Sequence, residues 1–364
     1  MKGKLILKDG TTMEGSSFGG TIGKAGEVVF ATGMMGYPES LTDPSYEGQI
    51  LVLTYPLIGN YGVPDSTLWE SQHIMVSGLI VSQYIDTPSH FQSTQTLGAW
   101  FEKEGVPLLE IKDTRFLAQK IRDKGVQLGK IEFEKKVAWY DPNKENLVAQ
   151  VSTKEIIVQE PSYVSTALSK KLKTIVLIDC GAKRNIQRAL LERGVRVVTV
   201  PWDMDIFASD FPHKFDGLMI SNGPGDPQTV TKTVETVKKA LQKNVVTFGI
   251  CLGHQILALA AGGDTKKLPY GHRSQNQPCI MQGTKTCMIT TQNHGFAVSK
   301  IPDDFKVWFT NANDGSNEGI IHKSGRFRSV QFHPEATPGP MDAEWLFDSF
   351  LEEVRREEHH NGKR

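Results

Sequence analysis

No stretch of this chain stays apolar long enough to cross a bilayer, which takes about 20 residues of helix. Its start, MKGKLILKDG, holds only the short apolar run Leu5–Leu7, less than a secretory signal requires, so a cytoplasmic location is expected. Charge of one sign is lacking too: 41 Lys and Arg balance 41 Asp and Glu, with no basic stripe interleaved with aromatics. Neither nucleic acid nor a membrane is therefore expected as a partner. Cysteine is scarce. Cys180, Cys251, Cys279 and Cys287 form no Cys-x-x-Cys pair and no zinc-type spacing with histidine, so free thiols and no metal site are expected. The cradle patterns G-x-x-x-x-G-K-[ST] and G-x-G-x-x-G are missing as well, leaving no recognisable ATP site.

What is present suffices for two cores: 364 residues, 39% of them hydrophobic. The first third reads as β-rich. LILKDGTTMEG is two short strands around an Asp-Gly turn, and GEVVF and QILVLTY are further strands. A helix–turn–helix region follows. STQTLGAWFEKEG carries Leu97 and Phe101 four apart, and DTRFLAQKIRDKG opens on Asp113 as N-cap and closes on Gly125. Between about residues 140 and 172 the text turns polar and loses its period, as a connector would. From Thr174 the grammar changes. TIVLID, RVVTV, GLMIS and VVTFGI are continuous apolar runs separated by helical segments, the pattern of a parallel sheet buried on both faces. TCMITTQNHGFAV and KVWFTNANDG read as an antiparallel addition, DAEWLFDSFLEEVRR as a last helix, and EEHHNGKR as a frayed tail.

In such a sheet functional groups collect where strands end, and three loops lie there. GICLG, Gly249–Gly253, is a cysteine version of the G-x-S-x-G elbow, in which glycines let helix and strand approach while the nucleophile is lifted clear. The helix start favours a thiolate at Cys251, and the Leu252 amide can face a developing oxyanion. A merely buried cysteine is the bland alternative. SNGPGDP, Ser221–Pro227, exposes backbone amides; taken alone it is more often a tight turn. SVQFHPE ends a strand in His333-Pro334-Glu335, where the proline forces extended chain and puts Glu335 on the same side as the imidazole. On its own this too is commonly a surface loop. Jointly they specify Cys…His…Glu with the nucleophile on an elbow.

FGICLGHQ, SNGPGDP and FHPE resemble the class I (triad) glutamine amidotransferases over about residues 172–356. GMMGY (33–37), LTDPSYEGQ (41–49), LTYPLIGNY (53–61) and DTR (113–115) resemble the N-terminal domain of the carbamoyl-phosphate synthase small subunit. The fold so implied is α/β. Residues 172–358 would be a class I amidotransferase domain with a mostly parallel, flavodoxin-like sheet flanked by helices. Residues 1–150 would be a β-rich α+β domain, 151–171 a linker and 359–364 a tail. The chain departs from the usual small-subunit pattern at Ile111, Lys112, Met35, Pro38 and QNQPC (275–279), none of them in the triad.

The resemblance also implies roles. Cys251 would be the nucleophile, with His333 and Glu335 its partners. Glutamine would be held by Ser45, Gly223, Gly225, Leu252, Gln255, Asn293, Gly295 and Phe296, with Ser45 supplied by the first domain. The chain would be a glutaminase subunit passing ammonia to a large subunit, in a heterodimer or a higher oligomer of heterodimers. That partner, with ATP and Mg, would make carbamoyl phosphate from bicarbonate for arginine and/or pyrimidine biosynthesis; no cofactor is expected in this chain. Two rivals remain. One is a non-catalytic subunit that keeps the elbow as a fold element; the other is an amidotransferase feeding another acceptor, which leaves the Asp-Pro-Ser-Tyr and Asp-Thr-Arg segments unexplained.

Overall fold

The computed structural model describes residues 1–162 and 172–361, with side chains described as far as Arg356. Contacts divide the chain into one compact unit of residues 1–147 with 269–275, and a second of 148–268 with 276–364.

The first unit is built on a closed seven-stranded barrel in the order β1-β2-β6-β5-β4-β3-β7. The strands are β1 (Lys2–Leu7), β2 (Thr12–Ser17), β3 (Lys24–Ala31), β4 (Gln49–Leu53), β5 (Gly78–Val81), β6 (Leu108–Glu110) and β7 (Gln127–Glu132). β3 to β6 run parallel to their neighbours, and β1, β2 and β7 close the barrel antiparallel. Strand β4 shows why the apolar runs do not alternate. Ile50 and Val52 pack with Leu5, Leu7 and Ile131 and with Leu117 and Ile121 of a covering helix. Leu51 and Leu53 pack on Tyr37, Leu41, Trp100 and Phe101. Both faces are buried, so both need apolar side chains.

Three helices serve this unit: α1 (Tyr37–Leu41), α2 (Leu97–Lys103) and α3 (Thr114–Lys124). Asp113 does cap α3, its Oδ1 accepting from the Phe116 amide at 2.8 Å, and Gly125 ends it with φ +82°. The expected helix–turn–helix needs correction, because the buried strand β6 intervenes between α2 and α3. Three residues are too few to show a period.

The second unit holds a ten-stranded sheet in the order β14-β13-β15-β16-β17-β12-β11-β9-β10-β8. Its parallel centre is β10 (Arg196–Pro201), β9 (Thr174–Asp179), β11 (Gly217–Ile220), β12 (Thr247–Ile250) and β17 (Phe327–Val330). Ile175, Leu177, Phe248 and Ile250 face α5 (Arg184–Glu192) and α8 (Trp345–Asn361) through Ile186, Leu190, Phe347 and Phe350. Val176, Ile178, Leu218 and Ile220 face α6 (Thr231–Gln242) and α7 (Leu252–Ala260) through Val237, Ala240, Ile256 and Leu257. The antiparallel extension is β13 (Asp264–Met281), β14 (Cys287–Lys300), β15 (Phe305–Asn311) and β16 (Asn317–His322).

Three readings of the text are revised. The connector contains a helix, α4 (Val148–Val151), and an edge strand, β8 (Ile157–Gln159), paired antiparallel with β10. Largely exposed, β8 needs no apolar pattern; residues 163–171 lie outside the described residues. The long polar strand β13 has no alternation and includes Pro269 and Pro278, so nothing in its text announces a strand. The last helix runs to Asn361, through half of what reads as a tail, and residues 362–364 lie outside the described residues. No helix among the described residues is long and apolar enough to cross a membrane. All four cysteines are free.

Candidate active site

Strand β12 ends at Ile250 and helix α7 begins at Leu252, so Cys251 alone makes the turn, with φ +54° and ψ −102°. A non-glycine residue held there costs about 1–3 kcal/mol and persists only where its surroundings impose it. They do. The Cys251 amide donates to the Val330 carbonyl at 2.9 Å, and the Cys251 carbonyl accepts from the His254 and Gln255 amides at 3.1 and 3.3 Å. A Cβ on Gly249 would lie 2.4 Å from the Gly253 carbonyl oxygen, and one on Gly253 2.2 Å from that of Ile220, so only glycines admit this approach of helix to strands. Leu252 opens α7, where an amide has no intrahelical acceptor.

The sulfur is buried and meets two polar groups. Cys251 Sγ is 3.7 Å from the Asn293 carbonyl oxygen, to which it donates, and 3.6 Å from Gln331 Nε2. His333 follows β17 and is anchored by its amide, which donates to the Thr291 carbonyl at 2.9 Å. Its Nδ1 donates to Glu335 Oε1 at 2.6 Å, and the Cys251 side chain interacts with the same ring. Burial, the largest influence, disfavours the imidazolium. Interactions with Glu335 and with Cys251 together overcome it and raise His333 to about 10. Burial likewise pushes Glu335 up, but Lys183 and His333 outweigh it and bring that carboxyl down to about 2.

Lys183 is the functional candidate that reading the text missed. It follows β9, and its side chain is nearly sealed, 2% exposed, with Nζ 3.1 Å from Glu335 Oε1 and bonded to the Ala336 carbonyl. Two residues on, Asn185 Nδ2 donates to the Glu335 carbonyl and, at 2.7 Å, to Thr337 Oγ1. The signal available was a charged residue at a strand's C-terminal end, where α/β sites collect. A buried ion pair is costly to break, and removing either partner typically costs about 3–5 kcal/mol.

The second unit thus brings Cys251, Leu252, Gln255, Asn293, His333 and Glu335 together. Gln255 Nε2 donates to the Phe296 carbonyl at 2.9 Å, which ties that strand to α7; Gly295 lies between Asn293 and Phe296 on β14. Gly223 lies so close to Cys180 that a Cβ would be 2.0 Å from its carbonyl oxygen, with Leu252 on the other side. Gly225 turns the same loop with φ +83°. Ser45 belongs to the first unit, buried in a short 3₁₀ turn (Pro44–Tyr46), where its amide donates to Asp43 Oδ1 at 2.9 Å.

A buried thiol on an elbow beside an imidazole held by a carboxylate is the constellation of acyl transfer through a thioester. Two family models match the chain: glutamine amidotransferase class-I over residues 176–353, and the CPSase domain of the carbamoyl-phosphate synthase small chain over residues 5–131. A protein of Eremothecium gossypii named carbamoyl phosphate synthase arginine-specific small chain is 46% identical over 97% of this chain and 92% of its own length. The chain belongs to the carbamoyl-phosphate synthase small-chain family. Its amidotransferase half carries the class I fold. Longer relatives match as fully. The multifunctional protein CAD of Squalus acanthias is 50% identical over 96% of this chain, and the multifunctional protein pyr1-3 of Dictyostelium discoideum is 46% identical over 99%. The chain spans only 16% and 17% of the length of those two proteins.

Proposed function

We propose that this chain hydrolyses L-glutamine to glutamate and ammonia and delivers the ammonia to an ATP-using synthase partner that makes carbamoyl phosphate. The observation that carries the proposal is the buried Cys251–His333–Glu335 array on a class I amidotransferase fold. The Cys251 thiolate attacks the side-chain amide carbon of glutamine. The oxyanion is held by the Leu252 amide and by amides of the Gly223–Gly225 loop. His333, held as imidazolium by Glu335, gives its proton to the departing ammonia, leaving a γ-glutamyl thioester. The neutral imidazole then takes a proton from water, which opens the thioester and releases glutamate. A single oxyanion donor is typically worth about 10²–10³ in rate.

Around that centre Gln255 spends both amide hydrogens on Phe296 and Gln331, so its Oε1 is what it offers the substrate. Asn293, Gly295 and Phe296 complete the proposed glutamine site. Ammonia set free in neutral water would become ammonium and cease to be a nucleophile, so a large-subunit partner or a fused synthase region holding ATP and Mg is part of the proposal. The names of the relatives support arginine and pyrimidine synthesis as destinations of the carbamoyl phosphate. The test is the assembled synthase with Cys251→Ser. Glutamine-dependent carbamoyl-phosphate synthesis is expected to vanish while ammonia-dependent synthesis persists; loss of both, or of neither, sinks the proposal.

A further inference from the structure

The proposed mechanism leaves one contact of the reacting sulfur unused: the side-chain amide of Gln331, fully buried just beyond β17, with Nε2 3.6 Å from Cys251 Sγ. A glutamine amide has two ends, and only one of them favours a thiolate. Here the orientation is dictated from a distance. The Phe296 carbonyl can only accept, so the group of Gln255 facing it at 2.9 Å is Nε2. The second hydrogen of that Nε2 goes to Gln331 at 3.0 Å, which makes the receiving atom Oε1. The end of Gln331 facing the sulfur is therefore its NH₂.

We propose that Gln331 is a catalytic residue of this site: a donor to the Cys251 thiolate, held in its donating orientation by the chain Phe296–Gln255–Gln331. The inference rests on reading Cys251 as the nucleophile. Its chemical logic is that a neutral donor stabilises the thiolate without competing for the proton His333 must move, since an amide neither gains nor loses one near neutral pH. The titratable groups around the sulfur are His333 and, behind it, Glu335 and Lys183. Helix α7 adds His254, whose ring meets Ser329, and β14 adds His294, whose ring is occupied by Phe296 and Gln292 and lies 3.9 Å from Glu318. Replacing Gln331 by an uncharged residue adds no titratable group to this set.

The test titrates the thiolate by its absorbance at 240 nm in the full chain, as the difference between each variant and the same variant with Cys251→Ser. This readout needs no substrate, so it stands apart from glutamine hydrolysis, whose failure in the wild type would instead overturn the glutaminase reading. Gln331→Met removes the donor at similar length, and the midpoint is expected to rise by about 1–2 pH units, a ten- to hundredfold loss of thiolate. Gln331→Leu likewise removes the donor and adds no charge, and carries the comparison if the methionine variant does not fold. An unchanged midpoint in either folded variant overturns the proposal.

Discussion

Two histidines of the second unit are sealed from solvent, yet their titrations are pushed in opposite directions. His333 is raised to about 10, and His254 is pushed down to about 3, chiefly by burial. Their exposure is alike, 2% and 0%. What differs is the neighbour. His333 Nδ1 meets a carboxylate that Lys183 keeps ionised, whereas His254 Nδ1 meets the hydroxyl of Ser329 at 2.9 Å. Burial disfavours the imidazolium in both, so the fixed charge beside the ring decides whether it can work as an acid. His254 is a packing and hydrogen-bonding element of α7; His333 has the neighbours that the proposed proton transfer needs.

The largest effect that would break the comparison is on turnover. His333→Asn should lower glutamine hydrolysis by about 10²–10⁴-fold, whereas His254→Asn should leave kcat within about tenfold and act mainly on thermal stability. A His254 variant that folds and is as inactive as the His333 variant would show that the distinction is false. Next comes the charge itself. Glu335→Gln should cut kcat by about 10²-fold or more while the fold persists, and NMR titration of the labelled imidazole should find His333 displaced downward, toward His254. Lys183→Met should act in the same direction through the carboxylate, with about 3 kcal/mol lost from stability; an unmoved His333 titration in both variants would refute the role assigned to the carboxylate.

The smallest effect is the pH dependence of stability, where the two rings should pull in opposite directions. Unfolded histidine titrates near 6.5. Folded His254 stays neutral down to about 3, so unfolding takes up a proton below 6.5, and its contribution is lost as pH falls from there toward 3. Folded His333 keeps its proton up to about 10, so its contribution is complete below 6.5 and is lost as pH rises toward 10. Melting temperature followed against pH should therefore flatten on the acid side in His254→Gln and on the alkaline side in Glu335→Gln. Slopes assigned the other way round would contradict a neutral His254 and a charged His333.

The difference between the two rings was only half legible in the text. His333-Pro334-Glu335 carries its carboxylate two residues away, close enough in extended chain to be read directly, and GICLG announces a strand-to-helix turn through its glycines. Lys183 and Gln331 were not legible as site residues. One is 152 positions from Glu335, the other 80 from Cys251, and nothing local distinguishes a lysine or a glutamine just past a strand end from its solvated counterparts. In the same way α3 was readable from Asp113, Leu117, Ile121 and Gly125. Strands β6, β8 and β13 were not, being respectively too short, too exposed and too polar to bear a pattern.

By itself the sequence determined the class of each half, the elbow and the candidates for nucleophile, imidazole and carboxylate, because each is encoded within a few consecutive residues by backbone constraint and apolar period. Only the tertiary structure decided which charges meet. The imidazolium at His333, the buried Lys183 that sustains it and the amide orientation of Gln331 depend on contacts between strand ends far apart in the chain, where low dielectric makes the choice of neighbour decisive.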